Sequence, residues 1–174
     1  MVLSLLFIYL ILGISKYEIF KKPQKETDKV CLNKLEARCL RAIDGDTIEV
    51  IFIGEEKLSD KKEKIRLIGI NTPELNLNKN EEAEYWAEQA ADFTKEELEG
   101  KNIELSFDDI SAKKDKYGRY LCYVWIDGYL FNKILIESGN AYYYPDFNFN
   151  EKYMKLFEKA EQYARNEREG MWNE

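Results

Sequence analysis

Residues 37–70 read ARCLRAIDGDTIEVIFIGEEKLSDKKEKIRLIGI, and their patterning decides the fold. Ala37–Ile43 and Thr47–Ile53 are apolar, β-branched runs, and Asp44-Gly45-Asp46 between them is a tight-turn sequence. Gly54–Lys62 is polar and reads as a loop. Lys64–Ile70 supplies a third strand, which Asn71-Thr72-Pro73 ends, because proline has no N–H to give to a ladder.

Working outward, Glu81–Leu98 carries Ala83, Trp86, Ala87, Ala90, Phe93, Thr94 and Leu98 on one stripe, which predicts a helix stopped by Gly100. Asn102–Phe107 and Arg119–Ile126 read as strands four and five, separated by the polar loop Asp108–Gly118. Leu130–Ser138 is a short helix ended by Gly139. Glu151–Arg168 is an amphipathic helix with Tyr153, Leu156, Phe157, Ala160, Tyr163 and Ala164 inward. The order β-β-β-α-β-β-α-α predicts an α+β fold: a five-stranded Greek-key barrel of the OB type with three α-helices. A plain α+β sandwich is the competing architecture.

The chain of 174 residues has a net charge of −7, three cysteines and no histidine. The missing histidine excludes Ser-His-Asp and Cys-His catalysis and any His-bound zinc site, and three cysteines cannot build a Cys₄ site. Chemistry is left to carboxylates, Arg, Lys, Tyr or an ion held by oxygen, which favours Ca²⁺, Mg²⁺ or Mn²⁺. The acidic balance argues against a protein that coats nucleic acid by bulk positive charge, but allows a local basic site. Cys31 falls in a polar stretch, whereas Cys39 and Cys122 fall in apolar runs and read as small core residues; a Cys31–Cys39 bridge is the alternative.

Val2–Ile14 is nearly all apolar, and Lys16, Lys21, Lys22 and Lys25 follow it. As a helix it would reach roughly 20 Å, short of the roughly 30 Å hydrocarbon core, a length that suits a signal-peptide core better than a span. No basic residue precedes it and no small-x-small cleavage site follows. These two features run against a cleaved signal, but the length and apolarity of the run lead us to expect residues 1–25 to direct export or membrane attachment, with a buried N-terminal helix as the alternative. Residues 26–36 read as a linker and 37–174 as the folded domain.

Four clusters could carry chemistry. Asp44 and Asp46 flank one glycine at a strand corner, the start of a hard-cation site or a solvated hairpin. Arg66 lies inside an apolar strand, where it needs an anionic partner or ligand. Glu74 follows the stiff Pro73, either as a placed carboxylate or as a first-turn helix residue facing the dipole. Lys113-Lys114-Asp115-Lys116-Tyr117-Gly118-Arg119 is the densest basic stretch and suits phosphate, or is a solvated loop. Tyr142-Tyr143-Tyr144 could stack on a base or pack on the barrel.

The runs RAIDGDTIEV, IRLIGINTPE and DKYGRYLCYVW, the G-x-A of Gly139–Ala141 and a last helix closing in Gly-Met-Trp resemble the staphylococcal nuclease (thermonuclease) family over about Arg38–Trp172. The resemblance implies an OB-fold, Ca²⁺-dependent phosphodiesterase acting on DNA or RNA and leaving 3′-phosphate ends. It implies Asp46 as a direct Ca²⁺ ligand, Asp44 as an outer carboxylate and the Thr72 carbonyl as a further ligand. Glu74 becomes the general base or water-orienting group, and Arg66 and Arg119 become the phosphate clamps. Lys116 and Tyr117 would contact a neighbouring phosphate, and one of Tyr142, Tyr143 and Tyr144, with Tyr143 as the middle choice, would stack on a base. Asn71 departs from the family, which has aspartate there as a direct ligand. An amide oxygen still coordinates but adds no charge, so weaker Ca²⁺ affinity or altered metal preference is expected. A monomeric, exported or membrane-tethered nuclease is the leading expectation. The alternatives are a nuclease-like barrel that only binds nucleic acid or a protein segment, and a purely structural domain, which leaves the Asp/Arg/Glu set unexplained.

Overall fold

A computed structural model describes residues 34–76 and 82–173. Five strands close a barrel: β1 (Leu35–Ala42), β2 (Thr47–Phe52), β3 (Lys62–Leu67), β5 (Asn102–Ser106) and β6 (Tyr120–Ile126). Two-residue strands β4 (Ile70–Asn71) and β8 (Tyr142–Tyr143) pair with each other, and β7 (Tyr129–Leu130) pairs antiparallel with the end of β6. The helices are α1 (Ala87–Leu98), α2 (Phe131–Glu137) and α3 (Glu151–Glu167), followed by a 3₁₀ turn, Gly170–Trp172. This is the five-stranded OB-type barrel with three helices that the strand order predicts, and the sandwich is excluded by closure.

Alternation places Leu35, Ala37 and Cys39 of β1 inward, against Ile48 and Val50 of β2 and Ile65 and Leu67 of β3. The pairs β3–β2, β2–β1, β1–β5 and β5–β6 are antiparallel. The parallel pair β3–β6 seals the barrel through Ile65↔Tyr120 and Leu67↔Cys122. Closure removes the exposed edges that a five-stranded open sheet would leave. Between Cys39 and Arg41 the β1–β2 register slips by one residue, a bulge that bends the strand just before the Asp44-Gly45-Asp46 corner. β1 begins at Leu35, inside the stretch assigned to the linker, because Leu35 is buried opposite Leu105. Cys39 and Cys122 are free, buried thiols, and burial pushes Cys39 up to about 12. Cys31 and the apolar run 2–14 lie outside the described residues. Among the described residues no helix is long and apolar enough to cross a membrane.

Two expected elements are broken. The third strand does not run through Ile70, because Gly69 sits at φ +77° and bends the chain between β3 and β4. A Cβ there would lie 2.7 Å from Phe149 and 2.8 Å from Phe157, so only glycine lets this bend pack under α3. Asn132 of α2 fixes it from the other side: its amide donates to the Ile68 carbonyl and accepts the Val124 N–H, both at 2.9 Å. The first helix starts at Ala87 rather than Glu81. Trp86 adopts a left-handed conformation, with its indole N–H on Asn140 Oδ1 at 2.8 Å, so Ala83 and Trp86 do not join the helical stripe. The bend at Gly69 and the turn before α1 carry Asn71–Glu74 along one end of the barrel.

Candidate active site

The Asp44-Gly45-Asp46 corner is held by its own backbone. The N–H groups of Ile43 and Asp44 donate to the Thr47 carbonyl, and the Asp46 N–H donates to Asp44 Oδ1 at 3.0 Å. A Cβ on Gly45 would lie 2.7 Å from the Thr72 side chain, so glycine lets the corner press onto that loop. The Gly45 carbonyl accepts the Thr94 hydroxyl at 2.7 Å, which ties the corner to α1. Asp46 is turned inward and only 5% exposed, so this is no ordinary solvated hairpin.

Asp46 is the meeting point. Its Oδ2 lies 2.8 Å from Arg66 Nη2 and accepts the Thr72 N–H at 3.1 Å. Its Oδ1 accepts the Thr47 hydroxyl at 3.1 Å, and Arg119 Nη1 donates to the same hydroxyl oxygen at 3.3 Å. Arg66, 5% exposed, also donates to Asn71 Oδ1 at 2.9 Å and to the Leu67 carbonyl at 2.6 Å. Burial pushes the Asp46 carboxyl up to about 7; Arg66 pulls against that shift and Asp44 adds to it.

Arg119 is fixed from behind. Its Nε donates to Asp115 Oδ2 at 2.7 Å, while the N–H groups of Arg119 and Tyr117 both donate to Asp115 Oδ1. Burial disfavours the Asp115 charge, yet these bonds outweigh it and hold the carboxyl below its usual range. Lys116 and Tyr117 are exposed at the loop end. The Tyr117 ring lies 5.0 Å from Lys116 Nζ and 5.4 Å from the Arg119 guanidinium carbon. Glu74 is exposed next to buried Pro73, and its backbone is bonded twice to Glu84.

The tyrosines divide by register. Tyr143 pairs with Ile70, packs on the core, and carries the influence of Glu158 and Glu161 on α3. The structure therefore does not bring Tyr143 to the Arg66 cluster. Tyr144 lies nearer to it: its phenol bonds to Asp146, which holds its pKa up, and its ring meets Phe147, which lies 5.4 Å from the Arg66 guanidinium. Tyr142 packs edge-on against Trp172, over which Arg165 sits at 3.7 Å.

Among the described residues no three His, Cys, Asp or Glu side chains are grouped to hold a metal ion. The donors at this corner are mixed oxygens: the carboxylates of Asp46 and Asp44, Asn71 Oδ1 and the Thr72 carbonyl. Asp46 Oδ2 and Asn71 Oδ1 both lie within 2.9 Å of one Arg66 nitrogen, so a cation held by these two oxygens would share them with Arg66 or take its place. That chemistry fits a hard cation such as Ca²⁺, with one carboxylate fewer than an aspartate at position 71 would give.

A family model described as staphylococcal nuclease homologue matches residues 64–174. The chain belongs to the staphylococcal nuclease family. It is 33% identical over 154 residues to a thermonuclease of Staphylococcus hyicus, covering 87% of this chain and 83% of that relative. It is 37% identical over 134 residues to a thermonuclease of Staphylococcus intermedius, covering 76% and 73%. It is 34% identical over 152 residues to endonuclease YncB of Bacillus subtilis, covering 87% and 65%.

For this staphylococcal nuclease family member, three groups escaped the sequence reading. Thr47 joins Asp46 to Arg119, Asp115 fixes Arg119, and Thr94 anchors Gly45. Only the Asp115–Arg119 pair could have been found by spacing. The Arg66–Asp46 pair has a testable pH signature. Removing one partner of a buried ion pair costs about 3–5 kcal/mol. Asp46 titrates higher in the folded state than its ordinary value of 3.8, so its contribution to stability is full below about pH 4 and is lost as pH rises through about 7. Urea unfolding of Arg66→Met should therefore show the larger loss relative to the parent at pH 8 and the smaller at pH 5. Equal losses at both would contradict the pairing.

Proposed function

We propose that the chain cleaves phosphodiester bonds of DNA or RNA with Ca²⁺ at the corner formed by Asp46, Arg66, Thr47 and Arg119, with Glu74 serving the attacking water. The nuclease class rests on the family and on relatives named thermonuclease and endonuclease. The residue roles rest on one observation: two arginines, on β3 and just before β6, are linked through Thr47 and one buried carboxylate.

Arg119 is braced by Asp115, whereas Arg66 closes on Asp46 and Asn71 and has to turn from them to meet a phosphate oxygen. Their guanidinium groups pair with non-bridging oxygens and offset the charge that builds in the transition state. Glu74 accepts the proton of the attacking water or orients it. Arg119 or water is left to protonate the departing oxygen. Asp46, Asn71 and the Thr72 carbonyl, with Asp44 outside them, would hold Ca²⁺, which would supply further positive charge to the phosphate. Asn71 lowers the charge of that set, so Ca²⁺ affinity is weaker than with aspartate. Lys116 and Tyr117 contact a neighbouring phosphate. Tyr144 with Phe147, rather than Tyr143, offers the stacking surface for a base. Export or membrane attachment through residues 2–14 and a monomeric state belong to the same proposal, read by cell fractionation and by light scattering.

The test is cleavage of DNA and RNA by the full chain in Ca²⁺ and in EDTA, with Glu74→Gln alongside. Cleavage in Ca²⁺ only, and a fall on the order of 10²–10⁴-fold for Glu74→Gln, is expected. Cleavage that survives EDTA or Glu74→Gln contradicts the mechanism, and none with any divalent ion favours a binding module. Calorimetry should show tighter Ca²⁺ binding by Asn71→Asp, and unchanged affinity would overturn the role given to Asn71.

A further inference from the structure

The segment Thr72-Pro73-Glu74, which includes the proposed base, belongs to no regular strand or helix. It is held at both ends by carboxylates. The Thr72 N–H ends on Asp46 Oδ2 at 3.1 Å. Pro73 has no N–H. The Glu74 N–H ends on Glu84 Oε2 at 2.9 Å, and the Glu84 N–H returns to the Glu74 carbonyl at 3.0 Å. Both backbone polar groups of Glu74 are thus bonded to one residue ten positions away.

Glu84 is itself fixed. The Ala87 N–H donates to its carbonyl at 3.1 Å, closing a turn into α1. Inside that turn Trp86 takes a left-handed conformation at φ 71°, unusual for a bulky residue and costly by roughly 1–3 kcal/mol. Its indole N–H is anchored on buried Asn140 Oδ1 at 2.8 Å, and the Asn140 amide in turn donates to Ser138 Oγ at 2.8 Å. The strained turn therefore runs from the helix α2 terminus, through Trp86, to Glu84 and so to Glu74.

From this geometry we infer that Glu84 is a positioning residue, whose paired bonds to the Glu74 backbone aim the Glu74 carboxylate at the reacting phosphate. The inference rests on the reading of Glu74 as the base. Glu84 and Glu74 are both exposed, so their hydrogen bonds contribute little to global stability. Their effect is local. A base displaced by about 1 Å loses on the order of 10²-fold in rate, while substrate held by other groups binds as before. Glutamine at position 84 keeps an acceptor oxygen for the Glu74 N–H, but alanine does not.

The experiment is steady-state cleavage of a short DNA by the full chain with Ca²⁺, comparing Glu84→Ala, Glu84→Gln and Glu74→Gln. Hydrogen exchange at the Glu74 amide and thermal melting are followed alongside. Glu84→Ala should lower kcat on the order of 10- to 100-fold with KM and melting unchanged, and the Glu74 amide should exchange faster. Glu84→Gln should recover most of the rate and the slow exchange. A full kcat in Glu84→Ala, equal loss in both position-84 variants, or a loss confined to KM or accompanied by unfolding would overturn the inference. If Glu74→Gln is inactive while Glu84→Ala is not, only the positioning role falls. If Glu74→Gln cleaves at the parental rate, the reading of Glu74 as base falls.

Discussion

One buried carboxylate organises this end of the molecule. Asp46 receives the Arg66 guanidinium, the Thr72 N–H and the Thr47 hydroxyl, and through Thr47 it reaches Arg119. A carboxylate so enclosed is stable only if its lone pairs are met, and here the β1–β2 corner, β3 and the loop after β4 all supply donors. The surrounding structure serves that requirement. The glycine at 45 lets the corner press onto Thr72, whose N–H reaches Asp46.

The same interaction explains how an acidic chain can handle a polyanion. The net charge is −7, but in the proposed mechanism the groups offered to phosphate are two arginines bonded to protein acceptors. Charge that is preorganised in one corner does more for a transition state than the same charge spread over a surface. The lack of histidine is consistent with this arrangement, since a carboxylate, two guanidinium groups and a hard cation need no imidazole.

Much of this was legible in the sequence because it is written in local patterns. Alternation gave the barrel strands, and Asp44-Gly45-Asp46 gave the corner. Arg66 stood out as a charge inside an apolar strand, and the motif resemblance gave the OB-type barrel. What was not legible depends on contacts between distant residues. Nothing at Thr47 announces a bond to Arg119, and Asn132 reveals its two buried partners only once α2 lies on the barrel. Tyr142, Tyr143 and Tyr144 are identical in sequence, so only the pairing of β8 with β4 tells that Tyr143 faces α3 while Tyr144 meets the Arg66 side. The start of α1 was misplaced because apolar periodicity continues through Trp86. The backbone there turns left-handed to satisfy Asn140.

The central claim is that the Asp46 corner is where the phosphodiester sits. A crystal structure of the full chain with Ca²⁺ and a short oligonucleotide carrying one non-hydrolysable methylenephosphonate linkage tests it most directly. The predicted result is that linkage bound by both Arg66 and Arg119, with the ion on Asp46 and Asn71. A linkage bound elsewhere, with Arg66 still closed on Asp46 and no ion between the two strands, would contradict it.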